Sequence, residues 1–246
     1  MKVEEINPYL YDGQSKTEQV REMFDNIAPA YDFMNRAMSF GLHRLWLRRA
    51  VKALGDGAPL DVLDVATGTA DVAISIARKY PQTQLTGIDL SEGMLERGRQ
   101  KVDEACLGGR IRLRQADCLH LPFADGSFDA VSVAYGVRNF ERLADGYREM
   151  LRVLRPGGTL TVIELSTPTS KLVRPFYNFY TRHIIPLMGR LVSKDIRAYS
   201  YLPESIAAVP QRDGMTSLMA DCGFADAAYR KLTFGVCTLY TARKPL

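Results

Sequence analysis

The chain has 246 residues, of which 46% are hydrophobic and 24% charged, enough apolar material for a full α/β core and too much for a disordered chain. Its net charge of +4 is too small to argue for nucleic acid, but it suits contact with an anionic membrane surface. Cys106, Cys118, Cys222 and Cys237 show no C-x-x-C spacing and no signal peptide precedes them, so reduced thiols, no metal and a cytoplasmic location are expected.

Residues 1–16 carry Pro8 and Gly13 without periodicity and predict a flexible start. From Thr17, a candidate cap, Val20, Met23, Phe24 and Ile27 recur at helical spacing, and Pro29 stops the helix. The stretch from Tyr31 to Trp46 is dense in aromatics and amides, and Leu42, Leu45 and Trp46 stand at core spacing. His43 reads equally as a packed helix residue or a ligand-facing one, with no metal partners nearby. The helix runs on to a loop over residues 55–59.

Residues 60–71 read as strand, tight turn and helix. Val62, Leu63 and Val65 form an apolar run suited to a central parallel strand. Asp64 interrupts it, and a buried carboxylate there must accept hydrogen bonds from the loop or a ligand. Gly68 lets the backbone approach a ligand, and the next helix, opening near Ala70 or Asp71, presents its positive dipole end. After a crossover helix over 71–80, a second strand ends at Asp89, where an acid suits the two hydroxyls of a ribose. The second and third glycines of G-x-G-x-x-G are missing. A nucleoside without a pyrophosphate therefore fits better than a dinucleotide.

A third helix is expected over 92–104, with Met94 at its start, and a short strand over 111–115. Asp117, in the loop that follows, is a candidate acceptor for the amino group of adenine, and a solvated loop carboxylate explains it equally well. Another strand over 128–135 leads to Gly136-Val-Arg-Asn139. Ligands sit at the carboxyl ends of strands in doubly wound sheets, so Arg138 and Asn139 would share a crevice with Gly68 and Asp89. A helix over 141–153 and a strand over 159–165 complete four alternations, which imply a parallel sheet with right-handed crossovers.

Residues 166–204 break this rhythm. Tyr177, Phe179, Tyr180, Ile184, Ile185, Leu187, Met188 and Leu191 lie among Lys171, Arg174, Arg182, Arg190 and Lys194. The segment reads as an apolar-substrate lid, a membrane-facing helix, or a core helix with a solvated basic face. A helix over 211–222 and strands near 225–231 and 235–243 follow as an antiparallel sheet edge. No linker divides the chain. One domain is expected, made of a helical cap (17–55), a cofactor-binding core (56–165), a lid (166–204) and a C-terminal helix with edge strands (205–246).

With these pieces placed, the chain resembles the class I S-adenosylmethionine-dependent methyltransferases. Over almost its whole length it is similar to the ubiquinone/menaquinone C-methyltransferase family. Tyr31-Asp32, Met34-Asn35, Ser39, His43 and Trp46 stand at that family's N-terminal signature spacing, and residues 152–166 match its second signature. The resemblance implies a Rossmann-like, mostly parallel doubly wound sheet. It implies S-adenosylmethionine as cofactor, its methionine part lined by Gly68 and Thr69, with Asp64 a further cofactor-binding candidate at the first turn. Asp89 would take the ribose and Met94 would pack near the adenine, whose edge Asp117 and the Cys118 backbone would recognise. Ala70 replaces a glycine common in the first loop, and Ala134 stands where many relatives place a cofactor-contacting serine.

The implied reaction transfers a methyl group to a ring carbon of a prenylated quinol. Demethylmenaquinol is the expected substrate, and 2-methoxy-6-polyprenyl-1,4-benzoquinol the alternative. Arg138 and Asn139 would face the quinol, Arg138 stabilising the ionised hydroxyl; Tyr31, His43 and Asn139 through water are candidates to remove the ring proton. No nucleic-acid partner is expected, peripheral membrane contact is, and a homodimer is one assembly left open. The rivals are a nicotinamide-dependent oxidoreductase, a nucleic-acid methyltransferase and a non-catalytic membrane adapter.

Overall fold

A computed structural model describes residues 2–9, 11, 13–55, 57, 59–192 and 196–246. The expectations for Asp56, Ala58 and Lys194 lie outside the described residues. Among the described residues seven strands form one sheet: β1 (Asp61–Val65), β2 (Gln84–Asp89), β3 (Ile111–Gln115), β4 (Phe128–Ala134), β5 (Leu154–Leu165), β6 (Ala225–Leu232) and β7 (Cys237–Arg243). Their spatial order is β3-β2-β1-β4-β5-β7-β6. The first five are parallel, and β7 runs antiparallel to both β5 and β6, giving the expected antiparallel edge hairpin. The order reverses between β1 and β4, so the ligand crevice of a doubly wound sheet falls at the carboxyl ends of those strands.

β1 is buried from Val62 to Val65, as a strand covered on both faces requires. On one face, α6 (Leu143–Val153) and α10 (Asp213–Asp221) place Tyr147, Met150, Met215 and Met219 against Leu63, Val131 and Val162. On the other, α3 (His43–Ala53) and α4 (Asp71–Lys79) place Trp46, Leu47, Ile76 and Ala77 against Val62, Ala130 and Ile163. At the amino ends of the strands, Arg155 bridges Asp129 (2.6 Å) and Asp61 (2.9 Å).

A third apolar cluster lies above the carboxyl ends, where α1 (Lys16–Ile27), α2 (Tyr31–Met38) and the start of α5 (Glu92–Glu104) meet two later helices, α8 (Ile185–Val192) and α9 (Ile196–Ala208). α7 (Val173–Phe179) leads into α8 through one wide π-helical turn, Tyr180–Ile184. Among the described residues, the segment expected as a lid therefore holds α7, the π turn, α8 and most of α9.

Three expectations need correction. α1 is capped by Ser15, which accepts from the Glu18 amide while Glu18 reaches back to the Ser15 amide, a capping box. Thr17 instead donates to Glu141 at 2.6 Å. The chain start is packed: Val3, Ile6 and Pro8 are buried, and the Lys16 ammonium donates to the Val3 carbonyl at 2.5 Å. Leu42 and Leu45 are 37% and 45% exposed, because α3 turns only Trp46, Leu47, Ala50 and Val51 to the sheet.

Candidate active site

The turn after β1 is built from left-handed residues. Ala66, Gly68 and Ala70 have φ of +52°, +55° and +66°, and Tyr135, just past β4, has +59°. An alanine in this region costs roughly 1–2 kcal/mol, and such strain is held where a site requires it. Beneath the turn, Asp64 is 1% exposed and accepts from the hydroxyls of Thr67 and Ser132, both at 2.6 Å. It braces the turn from below. Above it, Asp89 accepts from the Gly68 amide at 2.8 Å and the Ser91 amide at 3.0 Å. The carboxylate keeps acceptor capacity for a ligand. Burial pushes the carboxyl groups of both Asp64 and Asp89 up to about 6.

Gly68 and Asp89 open onto a narrow cleft of about 60 Å³, which Met94, Asp117, Cys118 and Leu119 also line. Asp117 accepts from the Leu119 amide at 2.9 Å through one oxygen, leaving the other for a ligand. The Cys118 thiol is pushed well above its usual range by burial, so only its backbone suits recognition. A β-carbon built on Gly68 would meet nothing nearer than the Tyr31 ring at 3.9 Å. The lining suits S-adenosylmethionine: a strand-end carboxylate to accept from vicinal hydroxyls, an apolar slot of Ile88, Met94 and Leu119 for a purine, and Asp117 to accept from its amino group. Asp64 and Thr69 flank the cleft without lining it. Thr69 donates to Asp32 at 2.6 Å, and Lys101 bonds Asp32, Thr69 and Asp71. This latch ties α2 to α4 and α5.

Beside the cleft lies an apolar cavity of about 370 Å³, walled by the N-terminal helices on one side and by α7–α9 on the other. The two spaces share Phe24, Tyr31, Tyr135 and Asn139. Arg138, Asn139, Tyr31 and His43 all line the apolar cavity. Arg138 is buried and pairs with Glu164 at 2.7 Å. Burial opposes its charge, but the Glu164 carboxylate holds the guanidinium more firmly protonated than usual. Asn139 accepts from the Tyr201 hydroxyl of α9 at 3.1 Å.

Burial raises the Tyr31 pKa, so its phenol stays protonated at neutral pH and suits a donor. Burial lowers that of His43, whose Nδ1 lies 2.8 Å from the Ser39 hydroxyl, so this imidazole is neutral and able to accept a proton.

Sequence reasoning assigned no role to Glu164, Tyr201 or Asp25. Glu164 had a signal, an acid inside an otherwise apolar strand, which demands a buried partner. Asp25 accepts from the Ser91 hydroxyl at 2.6 Å and the Gly93 amide at 3.1 Å, docking α1 onto the start of α5. Neither it nor Tyr201 departs from an ordinary helix pattern.

Comparison with known proteins follows the same lines. A model described as the ubiE/COQ5 methyltransferase family matches residues 13–244. The demethylmenaquinone methyltransferase of Bacteroides fragilis (strain NCTC 9343) is 48% identical over 98% of both chains. The ubiquinone/menaquinone biosynthesis C-methyltransferase UbiE of Geobacter sulfurreducens is 46% identical over 96% of this chain and 93% of that one. Among solved structures, phosphoethanolamine N-methyltransferase 2 of Haemonchus contortus in complex with S-adenosyl-L-methionine superposes with a TM-score of 0.62 at 15% identity. That match covers 82% of this chain and about half, 53%, of the other, a likeness of fold.

Proposed function

The chain belongs to the ubiE/COQ5 methyltransferase family, and from that premise we propose that it methylates a ring carbon of a prenylated quinol, converting demethylmenaquinol to menaquinol. The observation that carries this reading is the meeting of two unlike cavities. A cleft lined by Asp89 and Asp117 adjoins an apolar chamber at Tyr31, Tyr135 and Asn139, with the buried cation Arg138 on the apolar side.

S-adenosylmethionine, when bound, supplies an electrophilic methyl group on a sulfonium. Asp89 would hold the ribose hydroxyls, Asp117 and the Cys118 backbone the adenine edge, and Gly68 would admit the methionine portion; Asp64 and Thr69 fix the turn. Ring carbon is a weak nucleophile, and ionising the neighbouring hydroxyl pushes electron density onto it. Arg138 stabilises that oxyanion, and its pairing with Glu164 fixes the guanidinium in place before reaction, commonly the largest catalytic contribution. Asn139, held by Tyr201, would orient the ring, and fixing the ring beside the methyl donor would contribute up to about 7–11 kcal/mol. His43, kept neutral, is better suited than Tyr31 to take the ring proton.

The substrate's tail requires a membrane-borne supply. Among the described residues no helix is long and apolar enough to cross a membrane, so the proposed contact is peripheral. Phe40 and Phe176 line the apolar cavity and are each 79% exposed, and Leu172, Phe179 and Phe234, each adjacent in sequence to a cavity-lining residue, are exposed as well. These side chains form an apolar mouth for the tail. The reading is tested by supplying S-adenosylmethionine with reduced demethylmenaquinone or the reduced methoxy-polyprenyl-benzoquinone. Turnover of the first at higher kcat/KM supports it; turnover of neither overturns it.

A further inference from the structure

A second, polar recess of about 570 Å³ lies behind the lid, lined by Thr167, Thr169, Arg174, Asn178, Arg182 and Arg212 among others. Among the described residues none of its lining side chains is acidic, and Arg174 and Arg182 form no ion pair. Arg212 is fixed by donating to the Thr167 carbonyl at 3.0 Å. Three arginines with no counter-charge among the described residues, beside threonine hydroxyls and the side-chain amides of Asn178 and Gln211, form a donor set for a phosphate group, which guanidinium forks bind bidentately.

The position of the recess says which phosphate. The helical run from α7 into its π turn separates it from the apolar cavity, and Tyr177 and Thr181 line both spaces. One face of the run carries Arg174 and Arg182, while Leu172, Phe176 and Phe179 are exposed along the same run at 82%, 79% and 61%. Exposed apolar side chains beside arginines that pair with no carboxylate among the described residues match a bilayer interface, where rings enter the acyl boundary and cations meet headgroups. We infer that the Arg174–Arg182–Arg212 recess binds the phosphate headgroup of an anionic phospholipid, holding the mouth of the substrate cavity against the bilayer. This inference rests on the reading that the substrate is membrane-borne.

The test measures partition of the full chain into vesicles of phosphatidylcholine alone or with phosphatidylglycerol. Turnover of a short-tailed, water-soluble quinol is followed separately. Each arginine near an anionic surface is worth about fivefold in binding. The Arg174→Gln/Arg182→Gln variant is therefore expected to bind phosphatidylglycerol vesicles about thirtyfold more weakly, with unchanged turnover of the soluble quinol. Arg174→Lys/Arg182→Lys keeps the charge but loses the bidentate forks, and its partition is expected to fall between those of the wild type and the glutamine variant. As a charge-matched control, Arg78→Gln/Arg112→Gln, exposed on α4 and β3, leaves it within about threefold. Equal binding to both vesicle types, or an equal loss in the control, overturns the proposal. So does thermal stabilisation by inorganic phosphate without vesicle preference, which would make a soluble phosphate compound the ligand. Loss of soluble-quinol turnover in the wild type would strike the proposed reaction and leave the vesicle result standing.

Discussion

Arg138 and Glu164 form an ion pair of 2.7 Å inside the protein, with side chains 9% and 2% exposed. The pair joins the loop after β4 to the end of β5, and each charge depends on the other. Removing one partner of such a pair costs about 3–5 kcal/mol, whereas replacing both by apolar groups is close to neutral. Glu164→Gln is therefore expected to lower stability to denaturant by several kcal/mol. Arg138→Met/Glu164→Leu is expected to restore stability without restoring turnover, and recovery of turnover in the double variant would remove Arg138 from the chemistry.

Asp89→Ala is expected to weaken S-adenosylmethionine binding by more than tenfold in calorimetry, from the loss of charge-assisted hydrogen bonds worth about 1.5–3 kcal/mol each. Arg138→Ala is expected to keep that affinity within about threefold while losing turnover. Normal cofactor affinity in the Asp89 variant would cancel its assignment to the ribose.

The raised acids set a pH dependence. Burial holds Asp64 and Asp89 near 6 in the folded state, above the ordinary aspartate value of about 3.9. Between roughly pH 4 and 6 the folded chain therefore binds more protons than the unfolded one. The contribution of these groups to stability is full below about pH 4 and is lost as pH rises through about 6. Cofactor affinity runs the other way, because hydroxyl donors favour the ionised Asp89. Calorimetry from pH 5 to 8 is expected to show affinity rising through about pH 6 and then levelling.

Tyr201 reaches from α9 to Asn139 at 3.1 Å and so couples α9 to the proposed quinol end of the site. Tyr201→Phe removes one hydrogen bond, worth about 0.5–1.5 kcal/mol. The expected result is a KM for quinol raised about two- to tenfold, with cofactor affinity unchanged.

Gly189 of α8 packs against the Tyr199 ring of α9, where a β-carbon would collide. Gly189→Ala is expected to loosen the lid at a cost of about 1–3 kcal/mol. Faster proteolytic cleavage within residues 173–208 and a raised KM for quinol would register it.

The parallel core was legible because its strands are short apolar runs ending at chemically distinctive residues. Gly68 and Asp89 announce a strand-end cleft, and the structure joins them by a 2.8 Å hydrogen bond. The cap of α1 was misplaced by two residues although Ser15-Lys-Thr-Glu18 carries the capping-box spacing, because Thr17 competes by residue type. Leu42 and Leu45 have core spacing yet are exposed, since helical periodicity shows that a face is apolar but not what covers it. Glu164 and Tyr201 act through residues 26 and 62 positions away, and no local pattern encodes such pairings. The three-arginine recess likewise forms only when the loop after β5, α7 and the residues before α10 fold together.

The central claim is that the two adjoining cavities deliver a methyl group from S-adenosylmethionine to a quinol ring carbon. The direct test incubates the purified chain with deuteromethyl S-adenosylmethionine and reduced demethylmenaquinone, then locates the label by mass spectrometry after reoxidation. The account predicts label on the ring carbon of a product that still oxidises to a quinone. Label on oxygen, giving an ether that cannot reoxidise, or no label at all, would contradict it.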